Sequence, residues 1–261
     1  MNKEGESRTV KSVAAALEII QHLREMEGAT LSELAEQVDL SQASVHAHLT
    51  TLKQAGFVVQ KGHNYDVGPQ FRTLGEYFLN HSDLYQASKD QVQKLAEETE
   101  ECTHLGLAQN GQLYLIYEYF GSNAVGVEYH DKKRQQPLNQ LHSTGVGKCI
   151  LAAMPESEVA EILDERGLPQ STQYTITDRD ALFEELAEVR ERGYAFADQE
   201  LIPGIRAVAA PIEGPDGIEG AIAVTGPTGK FQGDRFREEL PQMVTNAANI
   251  CEVNLQTVRI K

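Results

Sequence analysis

The sequence predicts an N-terminal winged helix-turn-helix, a linker helix and a larger α+β domain with a mostly antiparallel sheet. Three observations predict this. Residues 12–56 carry three successive helical apolar stripes, and residues 57–67 read as a hairpin behind them. From Cys102 the apolar period changes from that of helices to that of strands. The remainder then runs strands, helices, strands and a long helix, an order that suits helices packed on an antiparallel sheet. The predicted boundaries are 1–68, 69–81 and 82–261.

The first helix spans Ser12 to Glu27, with Val13, Ala16, Leu17, Ile20 and Leu23 three or four apart and Gly28 as a stop. Thr30 stands three before Glu33, the spacing of a capping box. Leu31, Leu34, Ala35 and Val38 then make one face of a short second helix. Ser41 can cap a third helix running to about Gly56, with Val45, Leu49 and Leu52 as its buried stripe. Phe57 to Gln60 and Tyr65 to Val67, joined by Lys61 to Asn64, form the wing. The outer face of the third helix has the chemistry of a reading helix. Glutamine can bond an adenine edge bidentately, serine accepts several edges, and alanine permits close approach. The candidate DNA contacts are Gln42, Ala43, Ser44, His46, Ala47, His48, Thr51 and Lys53, with Lys61 and His63 in the wing turn.

Beyond Gly68-Pro69, Phe71, Leu74, Gly75, Phe78 and Leu79 have helical spacing, and Ser82 can cap a following helix to Glu100. Cys102–Ala108, Leu113–Phe120 and Ala124–Tyr129 read as strands, the first pair joined by Asn110-Gly111, a strong hairpin signal. Helices follow at Gly145–Met154, Glu156–Arg166 and Asp178–Arg192. Strands return at Tyr194–Ala197, Ala207–Ile212 and Gly220–Thr225, and a last helix runs from Gly233 to about Val258.

Composition narrows the function classes. No apolar run reaches the roughly eighteen residues of a membrane span, and the N-terminus lacks the apolar core of a signal peptide. Cys102, Cys149 and Cys251 are odd in number and widely spaced, which suits reduced thiols in a cytoplasmic protein. The net charge is −16, with six lysines and arginines against nine acids in residues 1–70 and seventeen against thirty in residues 71–261. DNA-binding modules are usually basic. The acidity is spread along the chain, as expected of a protein kept hydrated in a salt-rich, halophilic host.

Three stretches in the second half carry the most specific signal. They are Leu141-His142-Ser143-Thr144-Gly145-Val146-Gly147-Lys148-Cys149, the run from Arg192-Gly193-Tyr194 through Pro203-Gly204-Ile205-Arg206 to Pro211, and Ala223-Val224-Thr225-Gly226-Pro227. Behind a winged helix, in this order, they resemble the IclR family of transcriptional regulators over nearly the whole chain. The resemblance implies operator binding as a homodimer or homotetramer, to repress or to activate. It also implies a GAF-like C-terminal domain that binds a small organic-acid effector. The candidate effector residues are Thr144, Gly145, Val146, Gly147, Lys148, Ala197, Asp198, Arg206, Ala207, Ala223 and Thr225. Glycines at a helix start let backbone approach a ligand, and free amides there favour an anion. The family's pattern is departed from at Ala197, where Asp is frequent, at Ala207, where Cys is, and at Ala223, where a hydroxyl is. Three alanines imply a roomier, more apolar pocket and a larger effector, such as a sugar acid or an aromatic acid.

Other chemistries find less support. Residues 142–149 are no Walker loop, because His142 and Cys149 replace the Gly and the Ser or Thr that it needs. No nucleophile elbow, carboxylate pair or dinucleotide fingerprint is present, so neither an enzyme nor a cofactor is expected. Cys102, His104, His130, His142 and Cys149 are soft ligands without a compact metal spacing, so no metal is expected either. Redox sensing by Cys102 or Cys149 needs a lowered thiol pKa. Lys132-Lys133-Arg134 reads as a solvated loop. The alternative readings are a protein-binding adaptor built on the helix-turn-helix and a redox- or metal-sensing regulator.

Overall fold

The computed structural model describes residues 9–125 and 140–260. The chain forms two compact units, Met1–Phe78 and Leu79–Lys261. Each is described by itself.

In the first unit, α1 (Lys11–Glu25) ends where the Gly28 N–H, at φ +97°, reaches back to the Leu23 carbonyl. Its apolar arc is wider than the surface it covers. Ile19 and Leu23 enter the core, whereas Val13 and Leu17, on the other edge of the arc, are each 56% exposed. A two-residue strand β1 (Ala29–Thr30), not anticipated from the sequence, leads into α2 (Leu31–Gln37). The capping box is complete. Thr30 Oγ1 accepts the Glu33 amide at 3.3 Å, and the Thr30 amide donates to Glu33 Oε2 at 2.7 Å. Ser41 caps α3 (Gln42–Gln54), which is followed by the wing strands β2 (Val58–Lys61) and β3 (Asn64–Val67). The three strands order β1-β3-β2 and pair antiparallel, with Val58 opposite Val67 and Ala29 opposite Tyr65. Ile19, Leu23, Leu34, Val45, Leu49 and Val58 fill the core.

The expected linker helix is α4 (Gln70–His81). The division between units falls inside it, after Phe78, four residues before the expected start of the C-terminal domain at Ser82.

The second unit opens with α5 (Asp83–Thr99), capped by Ser82. The hairpin β4 (Cys102–Gln109) and β5 (Gln112–Phe120) turns through Asn110 and Gly111 at φ +52° and +66°. Two successive positive φ values are what an Asn-Gly turn supplies. Of the expected third strand, Ala124 and Val125 carry no strand pairing. Its remaining residues, His130 and the Lys132-Lys133-Arg134 run lie outside the described residues. A short 3₁₀ turn (Leu141–Ser143) precedes α6 (Gly145–Ala153), α7 (Glu156–Arg166) and α8 (Arg179–Arg192). Then come β6 (Ala195–Asp198), β7 (Ile205–Gly214), β8 (Gly217–Pro227), a π turn (Arg235–Glu239) and α9 (Leu240–Ile260).

The five strands order β5-β4-β8-β7-β6 and every neighbouring pair is antiparallel. Alternation along β8 divides the sheet. Ile222 and Val224 pack with residues of α5 and α9 such as Val92, Leu95 and Val244. Ala221 and Ala223 face the other way, toward Val146, Ile150, Leu182 and Leu186 of α6 and α8. The unit is therefore a mixed α+β layer structure, with small side chains on the face that meets α6. Among the described residues no helix is long and apolar enough to cross a membrane.

Candidate functional site

Two regions of the molecule carry functional chemistry. The first is the outer face of α3. Val45 and Leu49 anchor it from below with no exposed surface. Gln42, Ala43, His46, Ala47, Thr51 and Lys53 are exposed, and Ser44 and His48 are half-buried. Some polar groups are already engaged. The Ser44 amide donates to Ser41 Oγ at 3.2 Å and the two hydroxyls lie 3.0 Å apart, so Ser44 belongs partly to the cap. Thr51 Oγ1 donates to the Ala47 carbonyl. Lys53 Nζ donates to Gln60 Oε1 at 2.9 Å, and Gln60 Nε2 donates to the Gly62 carbonyl, which ties α3 to the wing. Lys61 and His63 stand exposed at the wing tip. Gln42, His46 and Ala47 are thus the side chains most available to an outside partner.

The second region is a cavity of about 90 Å³ at the start of α6, against the small-residue face of the sheet. Of the residues expected there, Thr144, Gly145, Val146, Ala197, Arg206, Ala207, Ala223 and Thr225 line it. Gly147, Lys148 and Asp198 do not. The Gly147 amide is used by the helix cap, donating to Thr144 Oγ1 at 3.0 Å. A Cβ on Gly147 would overlap the Leu141 carbonyl, and one on Gly145 would lie 3.0 Å from the Ala209 Cβ. These glycines serve close packing of the 3₁₀ turn, α6 and β7. The expectation of several free amides there is correspondingly reduced, and Gly145 and Val146 supply the uncapped ones.

Lys148 turns away into the interior. It is 2% exposed, and its Nζ donates to Glu200 Oε1 at 2.7 Å, to the Phe196 carbonyl at 2.9 Å and to Glu185 Oε1 at 3.4 Å. Burial pushes the Glu200 carboxyl above its ordinary pKa, and the Lys148 charge and hydrogen bond oppose that rise. Asp198 pairs bidentately with Arg206, at 2.7 Å to Nε and 2.9 Å to Nη2, and those hydrogen bonds hold its carboxyl below the usual range. Arg206 also donates to the Phe231 carbonyl and lies 4.8 Å above the Phe236 ring. Its guanidinium is therefore fixed in the cavity wall.

The sequence reading missed His104, Leu113, Leu115, Ser143, Glu200 and the Leu201–Ile205 turn, which also line the cavity. The turn is strapped in place by Thr172 and Thr175, whose hydroxyls donate to the Gln199 and Glu200 carbonyls at 2.7 and 2.6 Å. Gln199 sits at φ +62°, a backbone conformation uncommon for a residue with a side chain. The leucines and isoleucines explain why the cavity is small despite three alanines. Signals for Glu200 and His104 were present: a charged residue beside Asp198, and a histidine two from a buried cysteine on one strand.

The cysteines are all buried and none is in a disulfide. Burial pushes the Cys149 thiol up to about 12 and the Cys251 thiol to about 11. Both shifts run opposite to the activation that a redox sensor needs.

Comparison with known proteins decides between the readings. Residues 12–62 match the IclR helix-turn-helix domain, and residues 77–252 match the bacterial transcriptional regulator IclR C-terminal domain. The chain belongs to the IclR family of transcriptional regulators. It is 39% identical over 255 residues, 97% of either chain, to a Halobacterium salinarum protein named "Probable HTH-type transcriptional regulator ArcR". It is 31% identical to the transcriptional repressor IclR of Escherichia coli, covering 92% of this chain and 88% of that one. A crystal structure of an IclR transcriptional regulator from Alicyclobacillus acidocaldarius superimposes with a TM-score of 0.80 at 25% identity, over 95% of this chain and all of that one. This IclR-family member is a DNA-binding transcriptional regulator with a ligand-controlled effector domain, and not an enzyme.

Proposed function

We propose that this regulator binds a two-fold related double-stranded operator as a homodimer or homotetramer, and that a small organic acid in the α6 cavity sets its affinity. The observation that carries the reading is the cavity itself. It is mainly apolar and has a few convergent polar groups, Thr144, Arg206, Thr225 and Glu200, at a helix start. In this reading the C-terminal unit is GAF-like, which its antiparallel sheet with helices on both faces supports. The protein works in the cytoplasm, beside the DNA it reads.

The cavity volume supports a smaller effector than the three alanines alone suggest. An apolar cavity that admits benzene measures about 150 Å³. At about 90 Å³ this one favours an acid of a few carbons over a sugar or aromatic acid. In the N-terminal unit, Gln42, His46 and Ala47 read base edges while Lys61 and His63 meet backbone. Val10 just before α1, Val13 and Leu17 on α1, and Leu74 and Phe78 on α4, are exposed apolar side chains suited to a second copy. Footprinting on genomic fragments tests the reading. It predicts protected half-sites related by a dyad and about one DNA turn or a multiple apart. One asymmetric half-site argues against the two-fold arrangement, and no protected fragment favours the adaptor reading.

A further inference from the structure

Alternation on β4 and the β4–β5 pairing bring together three side chains that no sequence spacing links. Cys102 and His104 are two apart on β4, so they share a face, and His104 lies directly opposite Glu118 on β5. The cross-strand partners of Cys102 and His104 on the other side are Thr225 and Ala223, both in the cavity wall. His104 lines the cavity as well. Its Nδ1 lies 2.8 Å from Glu118 Oε1 and 3.9 Å from Cys102 Sγ, and one ligand atom from each of the three residues falls within 4.8 Å of the others. All three residues are buried, and the Glu118 side chain has no exposed surface.

We propose that Cys102 Sγ, His104 Nδ1 and Glu118 Oε1 form a three-ligand site for a zinc-class divalent cation in the wall of the effector cavity. The donor set is one thiolate, one imidazole and one carboxylate, which selects a borderline-soft ion such as Zn²⁺ over Mg²⁺ or Ca²⁺. Zinc–ligand bonds of about 2.0–2.3 Å in tetrahedral geometry separate ligand atoms by about 3.3–3.6 Å. The observed separations bracket that range, so binding needs the imidazole and carboxylate to part slightly while the thiol closes in. The thiol proton leaves on binding. Three protein ligands leave the fourth position for water or for a bound acid. The site also answers an electrostatic need of the cavity, and this consequence alone rests on the effector reading. Arg206 is held by Asp198, and Lys148 behind the wall is held by Glu200. An ion at His104 would bring uncommitted positive charge to an anionic ligand.

The test is a cobalt titration of the full chain after chelator treatment and removal of any affinity tag. The expected result is one equivalent per chain, the visible bands of a tetrahedral ion and a near-ultraviolet thiolate-to-cobalt charge-transfer band, all displaced by zinc. Cys102→Ser should lose the charge-transfer band and bind at least about tenfold more weakly. A chain carrying Cys149→Ala and Cys251→Ala, with Cys102 its sole thiol, should keep both band and stoichiometry, which protects the test if Cys102→Ser does not fold. Absence of stoichiometric binding overturns the proposal. So does binding without a thiolate band, or a band lost when Cys102 is the sole thiol. A buried Cys–His–Glu cluster that is purely structural gives the first of these results. Effector affinity does not enter this readout, so the site and the effector reading fail separately.

Discussion

Replacing Lys148 by methionine isolates the buried ion pair beneath the cavity. The side chains of Lys148 and Glu200 are 2% and 8% exposed, and their charged atoms lie 2.7 Å apart. Methionine keeps the volume and removes the charge, leaving a buried carboxylate without its cation and the Phe196 carbonyl without its donor. Breaking a buried pair from one side costs about 3–5 kcal/mol. For a unit of this size each kcal/mol lowers the melting temperature by about 2–4 °C, so the fall should be about 6–20 °C. The pH dependence tests the cause. Glu200 is already held above its ordinary pKa by burial, and Lys148→Met removes two of the three effects that draw it down, leaving the hydrogen bond from the Asp198 amide. A carboxyl with a folded pKa above its unfolded value destabilises the fold once pH exceeds the unfolded value, about 4.3, and the loss is recovered as pH falls back through the folded pKa. The deficit of Lys148→Met relative to the native chain should therefore be largest near neutrality and shrink toward pH 4.5. Adding Glu200→Gln should recover part of it at pH 7. Urea unfolding followed by circular dichroism measures both. A deficit below 1 kcal/mol at pH 7, or one equal at pH 7 and 4.5, would refute the reasoning.

Further outcomes follow from the same geometry. Gly147→Ala drives a methyl into the Leu141 carbonyl and should destabilise by at least about 1–3 kcal/mol through overpacking, with a matching loss in a thermal melt. Gly75→Ala, where no atom lies within 4 Å of the added carbon, is its control and should be neutral or slightly stabilising. Gln42→Ala should weaken operator binding by about 1–3 kcal/mol and relax preference at one base pair, as read by competition with single-base operator variants. A uniform loss across all variants would make Gln42 a backbone contact. Cys149 and Cys251 should resist alkylation at pH 8 in the folded chain and react after denaturation, since burial holds both thiols protonated.

Much of the fold was legible because its signals are local. The Thr30–Glu33 capping box, the Ser41 and Ser82 caps and the Asn110-Gly111 turn each act over a few residues, and each is present as read. The outer face of α3 was legible for the same reason. The cavity was only half legible. Thr144, Ala207 and Ala223 line the cavity, but a spacing does not say whether a lysine points out or in. Lys148 follows the helix start by one turn and is drawn under it by Glu200, fifty-two residues later. Gly147 is likewise fixed by the 3₁₀ turn packed upon it, not by a ligand. The Cys102, His104 and Glu118 cluster depends on hairpin register. Its members are two and fourteen residues apart along the chain and become neighbours only when β4 and β5 pair. On α1 the spacing marks one apolar face but not which part of it is covered: Ile19 and Leu23 are buried, and Val13 and Leu17 face out.

The central claim is that a small acid in the α6 cavity controls operator binding. The direct measurement is the operator dissociation constant with and without a saturating small carboxylic acid, chosen by calorimetry, in the native chain and in Ala207→Leu, which fills the cavity. The account predicts a shift of about 5–150-fold in the native chain, the usual span of allosteric coupling, and none in Ala207→Leu. An acid that binds the native chain, fails to bind Ala207→Leu and leaves the operator constant unchanged would contradict it.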